Sequence, residues 1–310
     1  MISIYTRTNN IFSKEYLKWL VRKIINKKSG PEAVLESLIR GLNKSQIDYE
    51  INPKIPKFES VHVLSGVKAL KDTIKLKSNG VIKRIIAGPN LIISPNDQDG
   101  ILLDKNIDTI LVPSQWVADF YSQNMTKEQS AKISIWPAGT DIPISQDTPI
   151  IRDNILLFIK NVDLELANAV QNYLQTKKYK FEIIRYSNYK QAEYFSLLNK
   201  SKLMIYLQIV ESQGIALQEA WAKNVPTLVL ERKSYTYPDG KIAYGQISAP
   251  YLTNESGQFF KDFNDFKIKI EEMMKNLGSY SPRGYCQKSL SDEASTKRYL
   301  EIIRELRNSI

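Results

Sequence analysis

Short β-branched apolar runs alternate with amphipathic stretches along nearly the whole chain of 310 residues. This alternation is typical of parallel sheets whose crossover helices cover both faces, so both halves are predicted to be α/β. The predicted strands cover residues 2–5, 48–51, 61–64, 83–87, 109–113, 155–159, 180–185, 203–207 and 227–230. The predicted helices cover residues 14–26, 31–43, 67–77, 115–124, 163–175, 191–199, 214–223, 259–274 and 292–306.

A run of turn-forming residues separates the two halves. It begins at Pro137 and continues as a polar stretch to Asn154, which is the composition of a linker. The chain length also fits two domains, at roughly 150 residues each. The sequence therefore predicts an N-terminal domain over residues 1–143 and a C-terminal domain over residues 144–310.

Composition excludes several classes of protein. Cys286 is the only cysteine and His62 the only histidine, so an internal disulfide is impossible and no His/Cys zinc set can be recognised. The longest apolar run, residues 155–159, is far shorter than the about 20 residues of a membrane-spanning helix. The first residues read as a strand rather than a secretory signal, so a cytoplasmic protein is expected.

The net charge of +10 at pH 7 predicts an anionic partner. Nucleotide diphosphates, nucleic acids and acidic membrane surfaces all meet that description. No RNA- or DNA-binding signature accompanies the charge, so nucleic acid is not expected as a partner.

The segment 207–229 reads as a strand, a turn, a helix and a further strand. Gly214 lies where the helix begins, and the free N–H groups at a helix N-terminus suit a diphosphate. Glu211 precedes the turn and would point at a bound sugar, whereas Glu219 lies within the helix and could reach ribose hydroxyls. Taken alone, both glutamates could equally be ordinary solvated or capping carboxylates.

The fuller string resembles the donor-site motif of retaining GT-B glycosyltransferases, the large family-four-like group. The matching residues are Glu211, Ser212, Gly214, Glu219, Ala220, Ala222 and Pro226. Asn224 stands where a glycine is usual, and Asn tolerates left-handed backbone better than most residues. Residues 137–141 are similar to the interdomain turn of the same family, with Gly139 and Asp141 retained, and residues 110–121 are similar to the preceding strand and helix.

This resemblance implies two Rossmann-like domains facing a cleft, with C-terminal helices packing back toward the N-terminal domain. It implies that the N-terminal domain binds the acceptor and the C-terminal domain binds a nucleotide sugar. The reaction would move a hexose from a nucleoside-diphosphate sugar to a hydroxyl of a glycan or lipid-linked acceptor, with retention of configuration. Neither a metal nor a cofactor is expected.

The same resemblance assigns roles to individual residues of the C-terminal half. Lys160 stands near the position of a family arginine and would neutralise the leaving diphosphate, although a solvated strand-end lysine is its plain alternative. Glu211 would act with it at the reacting sugar. The residues expected to bind the donor are Ser212, Gln213, Gly214, Ile215, Glu219 and Tyr186.

The acceptor side carries weaker signals. Gly30 lies in a segment that resembles the glycine-rich loop facing the sugar. His62 lies in a strand where family members often carry a histidine, and a structural histidine is the alternative. Asn90 could face the cleft or serve a turn. The cationic amphipathic helix predicted at residues 14–28 could touch an anionic membrane from the cytoplasmic side or simply pack on the core.

Two other functions remain compatible with the sequence. One is an inverting GT-B transferase in which a carboxylate or His62 serves as the general base. The other is a non-catalytic, basic binding protein on a GT-B scaffold.

Overall fold

The computed structural model describes residues 1–14, 16–17, 20–21, 30–143 and 152–308. The chain forms two compact units. The first contains Met1–Gly139 and Asp292–Ile310, and the second contains Thr140–Ser291. The division falls at residue 139 rather than residue 143, and the last helix belongs to the first unit. The helix predicted at residues 14–28 lies mostly outside the described residues.

The strands and helices follow the alternating pattern of the sequence. The strands are β1 Ile2–Tyr5, β2 Tyr49–Ile51, β3 Ser60–Ser65, β4 Arg84–Asn90, β5 Thr109–Val112, β6 Ile133–Ile135, β7 Asn154–Ile159, β8 Phe181–Arg185, β9 Ser201–Leu207, β10 Thr227–Leu230, β11 Ser234–Thr236, β12 Ile242–Tyr244 and β13 Gly257–Phe260. The helices are α1 Gly30–Lys44, α2 Val67–Ser78, α3 Asp97–Gly100, α4 Gln115–Ser122, α5 Lys127–Ser130, α6 Leu164–Thr176, α7 Gln191–Lys200, α8 Ile215–Ala222, α9 Phe263–Lys275, α10 Pro282–Ser289 and α11 Asp292–Asn308.

Both units are built on a parallel sheet in which the first three strands have the same order. The first sheet has the order β2-β1-β3-β4-β5-β6 and the second has the order β13-β10-β9-β7-β8. In each unit the first strand therefore lies between the second and the third. The connections leave in opposite directions from that strand, which creates a topological switch point between β1 and β3 and another between β7 and β9.

The central strands of the second unit are buried on both faces, which explains their continuous apolar runs. Leu156 and Phe158 of β7 pack on the side of α8, against Leu217 and Trp221. Their neighbours along β7 point to the opposite side, toward α6 and α9. This two-sided core fixes the ends of β7 and β9, from which the site residues extend.

The last helix packs on the first unit through α1, as the family resemblance implied. Arg40 forms a two-pronged ion pair with the fully buried Asp292, with Nε–Oδ2 and Nη2–Oδ1 distances of 2.6 and 3.1 Å. Gly41 allows the close approach, because a Cβ there would lie 1.7 Å from Thr296 Oγ1. The α/β architecture of two Rossmann-like units with a returning terminal helix is thus confirmed.

One predicted helix is wrong at its start. Residues 259–274 were expected to be helical, but Gly257–Phe260 form strand β13 beside β10. The helix begins only at Phe263, after Asp262 accepts hydrogen bonds from the N–H groups of Asn264 and Asp265 at 2.8 and 3.0 Å. Phe259 and Phe260 are therefore residues of an edge strand.

Within the described residues, no helix is both long enough and apolar enough to cross a membrane.

Candidate functional site

A charged pair occupies the switch point of the second unit. Lys160 follows β7, and its backbone N–H donates to the carbonyl of Leu207 at the end of β9, 2.9 Å away. Glu211 lies in the loop after β9, and its Oε1 is 2.6 Å from Lys160 Nζ. The lysine side chain is 21% exposed and the glutamate side chain 11%. Sequence reasoning expected both residues in the site, and the fold places them in contact.

Glu211 is held by two further hydrogen bonds that the sequence did not reveal. The hydroxyl of Tyr206 donates to Glu211 Oε1 at 2.6 Å, and the Glu211 N–H donates to the carbonyl of Ile247 at 2.7 Å. Burial, reinforced by the glutamate charge, raises the pKa of Tyr206 well above its usual value. The phenol therefore remains a hydrogen-bond donor that fixes the carboxylate.

Gly214 forms the N-cap of α8 in a left-handed conformation, with φ 83° and ψ 51°. L-residues rarely adopt this conformation, so the glycine is what turns the chain from the Glu211 loop into the helix. The first N–H groups of α8 follow directly, and they make this helix start suitable for an anion.

The neighbours of Gly214 divide into exposed and buried residues. Ser212 is exposed and Ile215 is half-buried. Gln213 is buried, and its Nε2 donates to Gln218 Oε1 at 3.0 Å. Gln213 thus supports the helix start, whereas Ser212 can meet a ligand. At the other end of α8, Asn224 has a left-handed φ of 60°, a conformation that Asn tolerates better than most residues.

Two further residues predicted to bind the donor are Glu219, on α8, and Tyr186, directly after β8. Glu219 is half-buried on α8, and its Oε1 accepts a hydrogen bond from Gln191 Nε2 at the start of α7, 2.7 Å away. Tyr186 follows β8 and is 53% exposed, and Lys160 Nζ lies 4.5 Å from its ring centroid. Gln191 is a second residue that sequence reasoning missed, because nothing local distinguishes it from any helix-start glutamine.

Tyr189 lies within electrostatic reach of both glutamates. Burial raises its pKa above the usual range, and the negative charges of Glu219 and Glu211 add to the shift. Both carboxylates therefore act on the same tyrosine, although one lies in the loop after β9 and the other on α8.

The three residues expected on the acceptor side lie in the first unit. Gly30 is exposed at the start of α1, and a Cβ there would meet nothing within 4 Å. Asn90 is half-buried at the end of β4, and its Nδ2 has no hydrogen-bond partner. Neither position has a feature that identifies a ligand.

His62 is fully buried on β3. Its Nε2 lies 2.7 Å from the carbonyl of Gly88, so this nitrogen carries the proton, and Nδ1 accepts a hydrogen bond from the Tyr299 hydroxyl at 2.8 Å. Burial lowers the pKa of the imidazole to about 4. Both ring nitrogens are engaged inside the first unit, which gives His62 a structural role and weakens its candidacy as a general base.

Over the part of the chain that the structure describes, no group of three or more His, Cys, Asp or Glu side chains could hold a metal ion. Cys286 is buried, and its Sγ donates to the carbonyl of Gln218 at 3.6 Å.

The two Rossmann-like units match the GT-B fold of the solved structures to which the chain is similar. The catalytic domain of starch synthase IV from Arabidopsis thaliana, bound to ADP and acarbose, is similar with a TM-score of 0.62 and 9% identity over 99% of both chains. The apo form of the lipopolysaccharide outer core galactosyltransferase WaaB gives a TM-score of 0.56 and 12% identity over 98% of this chain and 99% of that chain.

An enzyme with a different named activity shares the fold. A putative UDP-N-acetylglucosamine 2-epimerase from Listeria monocytogenes gives a TM-score of 0.51 and 11% identity over 100% of this chain and 96% of that chain. No protein-family model matches the chain. No curated protein matches it in a sequence search. The likeness therefore shows the GT-B fold, and the function must be argued from the site.

Proposed function

We propose that the protein is a glycosyltransferase that moves a hexose from a nucleoside-diphosphate sugar to a hydroxyl of a glycan or lipid-linked acceptor, with retention of configuration. The observation that carries this proposal is the Lys160–Glu211 pair at the switch point of the second sheet, next to the helix start at Gly214. Ligands of open α/β sheets bind outside the carboxyl ends of the strands at such a point.

A diphosphate fits this point because two kinds of positive potential converge there. The N–H groups of α8 supply fixed partial charge without a titratable group. Lys160 supplies a full charge on a side chain that remains partly accessible. Because Lys160 pairs with Glu211, an arriving diphosphate would compete with the carboxylate for the ammonium group.

A sugar and a nucleoside fit on either side of the diphosphate. Glu211, fixed by Tyr206, is a hydrogen-bond acceptor suited to sugar hydroxyls. Glu219, fixed by Gln191, is suited to ribose hydroxyls. The exposed ring of Tyr186 offers a surface on which a base can stack.

Catalysis in this proposal rests on positioning and on stabilising the charge that develops on the leaving diphosphate. The bond between the sugar carbon and the phosphate oxygen would break, and the departing phosphate oxygen would accept the proton of the acceptor hydroxyl. The acceptor oxygen would then bond to the sugar carbon on the face from which the phosphate leaves. Lys160 and the N–H groups of α8 would hold the phosphate as its negative charge grows. No metal ion and no cofactor is needed for these steps.

We propose a role in polysaccharide or glycoconjugate synthesis on the cytoplasmic side of the membrane. The net charge of +10 suits both an anionic donor and peripheral contact with an anionic membrane. The same proposal includes contact between residues 14–28 and the membrane.

The test is a thermal-shift panel of UDP-, GDP- and ADP-sugars, with and without EDTA, on the wild type, Glu211→Ala and Glu219→Ala. One donor should raise the melting temperature, EDTA should not alter the rise, and both substitutions should reduce it. An equal response in all three proteins would contradict the site. With the active donor and an acceptor, NMR of the product anomer separates retention from inversion.

Two outcomes would support a different function for the protein. Interconversion of a sugar nucleotide with no acceptor would favour an epimerase, the activity named for one structural neighbour. Salt-sensitive binding of anionic polymers without any donor response would favour a non-catalytic binding protein.

A further inference from the structure

A β-hairpin lies in the connection between β10 and β13 of the second unit. Strands β11 and β12 pair antiparallel and form a two-stranded sheet separate from the main one. The whole connection covers residues 231–256. The motif-based assignment of the donor site leaves this hairpin without a role.

The hairpin has two chemically different faces. Its pairing places Tyr235 opposite Ala243 on an inner face, where Ala243 is fully buried and Tyr235 packs edge-on against Tyr237 at 5.0 Å between ring centroids. The outer face is exposed to solvent. It consists of Ser234, Thr236, Ile242 and Tyr244.

The outer face presents an aromatic ring, an aliphatic side chain and two hydroxyl groups to solvent. Tyr244 is 56% exposed and Ile242 is 37% exposed, although a two-stranded ribbon gains stability chiefly by burying its apolar side chains. The two strand residues opposite them, Ser234 and Thr236, add hydroxyl groups. The face carries no charged side chain, so a phosphate or an anionic lipid headgroup has no partner on it.

The hairpin begins at the same edge of the sheet as the candidate donor site. Strands β9 and β10 are parallel neighbours, so their carboxyl ends lie side by side. The residues that close the hairpin support the site directly, because the carbonyl of Ile247 accepts the Glu211 N–H at 2.7 Å. Arg232, at the other end, donates its N–H to Ser248 Oγ at 3.1 Å.

We propose that the outer face of the hairpin, Ser234, Thr236, Ile242 and Tyr244, binds the glycan acceptor. A pyranose ring presents an apolar C–H face and a rim of hydroxyls, and an aromatic ring flanked by hydroxyl-bearing side chains matches both. The inference rests on the proposed function and adds that the acceptor is an uncharged glycan bound by the second unit, whereas the family resemblance assigned acceptor binding to the N-terminal domain.

The test measures glycan binding and donor binding separately on the full chain. Wild type, Tyr244→Ala, Tyr244→Phe and Tyr186→Ala are applied to an immobilised panel of neutral gluco-, galacto- and manno-oligosaccharides. The same proteins are then titrated with nucleotide sugars in a thermal-shift assay. Tyr244→Ala should weaken glycan binding about tenfold, whereas Tyr244→Phe, which keeps the ring, should stay within about twofold.

The matched control is Tyr186→Ala, which removes a similarly exposed ring from the donor side. It should reduce the donor response and leave glycan binding unchanged, while Tyr244→Ala should do the reverse. Unchanged glycan binding by Tyr244→Ala, or no binding by the wild type, would overturn the inference. So would a wild-type dimer that becomes monomeric in Tyr244→Ala without any glycan bound. Failure of the proposed function would appear instead as no donor response in the wild type.

Discussion

Each unit contains a buried tyrosine hydroxyl that donates a hydrogen bond to a titratable side chain. In the second unit Tyr206 donates to Glu211, whose carboxylate also meets Lys160 and remains 11% exposed. In the first unit Tyr299 donates to His62, which is fully buried and has its other nitrogen on the Gly88 carbonyl. The two networks use similar parts but differ in charge and in access to solvent.

That difference separates a binding network from a structural one. A carboxylate and an ammonium group at the open end of a sheet can exchange their mutual contact for a ligand. A neutral imidazole enclosed by Tyr299, Trp136 and backbone has no such exchange available. The following variants test this contrast, from the largest expected effect to the smallest.

Glu211→Ala should have the largest effect on turnover. Loss of a group that positions the reacting sugar should lower kcat/KM by about 10²–10³-fold. The loss in Lys160→Ala should fall in the same range, because this substitution removes the ammonium group that would stabilise the leaving diphosphate. Steady-state kinetics with the donor identified by thermal shift measures both. Glu165→Ala, an exposed carboxylate on α6, is the control, and a comparable loss in that variant would remove the special status of Glu211.

His62 should govern stability rather than turnover, in a pH-dependent way. Its folded pKa of about 4 lies below the unfolded value of 6.5, so the unfolded chain binds more protons between these values. The stability that neutral His62 confers is present above pH 6.5 and is lost as the pH falls toward 4, by on the order of 3 kcal/mol.

His62→Gln supplies the comparison, since an amide can donate to Gly88 and accept from Tyr299 without titrating. Denaturant unfolding at pH 7.5 and pH 4.5 should show a smaller pH effect for this variant. Identical pH dependence in both proteins would mean that His62 is not the titrating group. Donor binding at pH 7.5 should be the same in both.

Tyr206→Phe should lower kcat/KM about tenfold and the free energy of unfolding by about 1 kcal/mol, because Glu211 loses one fixed donor. Tyr285→Phe is the matched control, since its hydroxyl donates to the Tyr251 carbonyl at 2.9 Å. It should lose similar stability and little activity. Equal activity in the two variants would show that Tyr206 only packs the core.

Gly214→Ala should have the smallest effect, a loss of donor affinity of about fivefold. Its φ of 83° strains an L-residue by roughly 1 kcal/mol, and the new Cβ would lie 3.2 Å from Leu217 Cδ1. Gly278→Ala, where a Cβ would meet nothing within 4 Å, should bind the donor normally. Isothermal titration measures both, and full affinity in Gly214→Ala would count against the helix start as the phosphate site.

Much of the architecture was predictable from the sequence because its signals are local. The alternation of apolar runs gave the α/β units, and the glycine at position 214 marked the start of α8 within one residue. The spacing of Glu211 and Glu219 identified two carboxylates that the structure brings into reach of one tyrosine.

The remaining features depend on contacts between distant segments. Tyr206 lies inside an apolar strand and looks like core until the path of the Glu211 loop is known. The sequence left His62 open between an acceptor-side residue and a structural histidine, and the hydrogen bond from Tyr299, at the far end of the chain, favours the structural role. The strand Gly257–Phe260 forms because β10 offers it an edge, and no local pattern reports that edge. The roles of the donor-site residues stay predictions until the variants are measured.

The returning helix α11 also constrains how the chain reaches its folded state. All of Thr140–Ser291 is contiguous, whereas the other unit needs residues from both sides of it. During synthesis the second unit can be completed first, while α1 still lacks the Asp292 partner of Arg40. Part of the apolar surface of the N-terminal segment therefore stays uncovered until the whole second unit has been translated. A shortened product ending before Asp292 would leave that surface open to proteases and chaperones, although the candidate donor site in it would be intact.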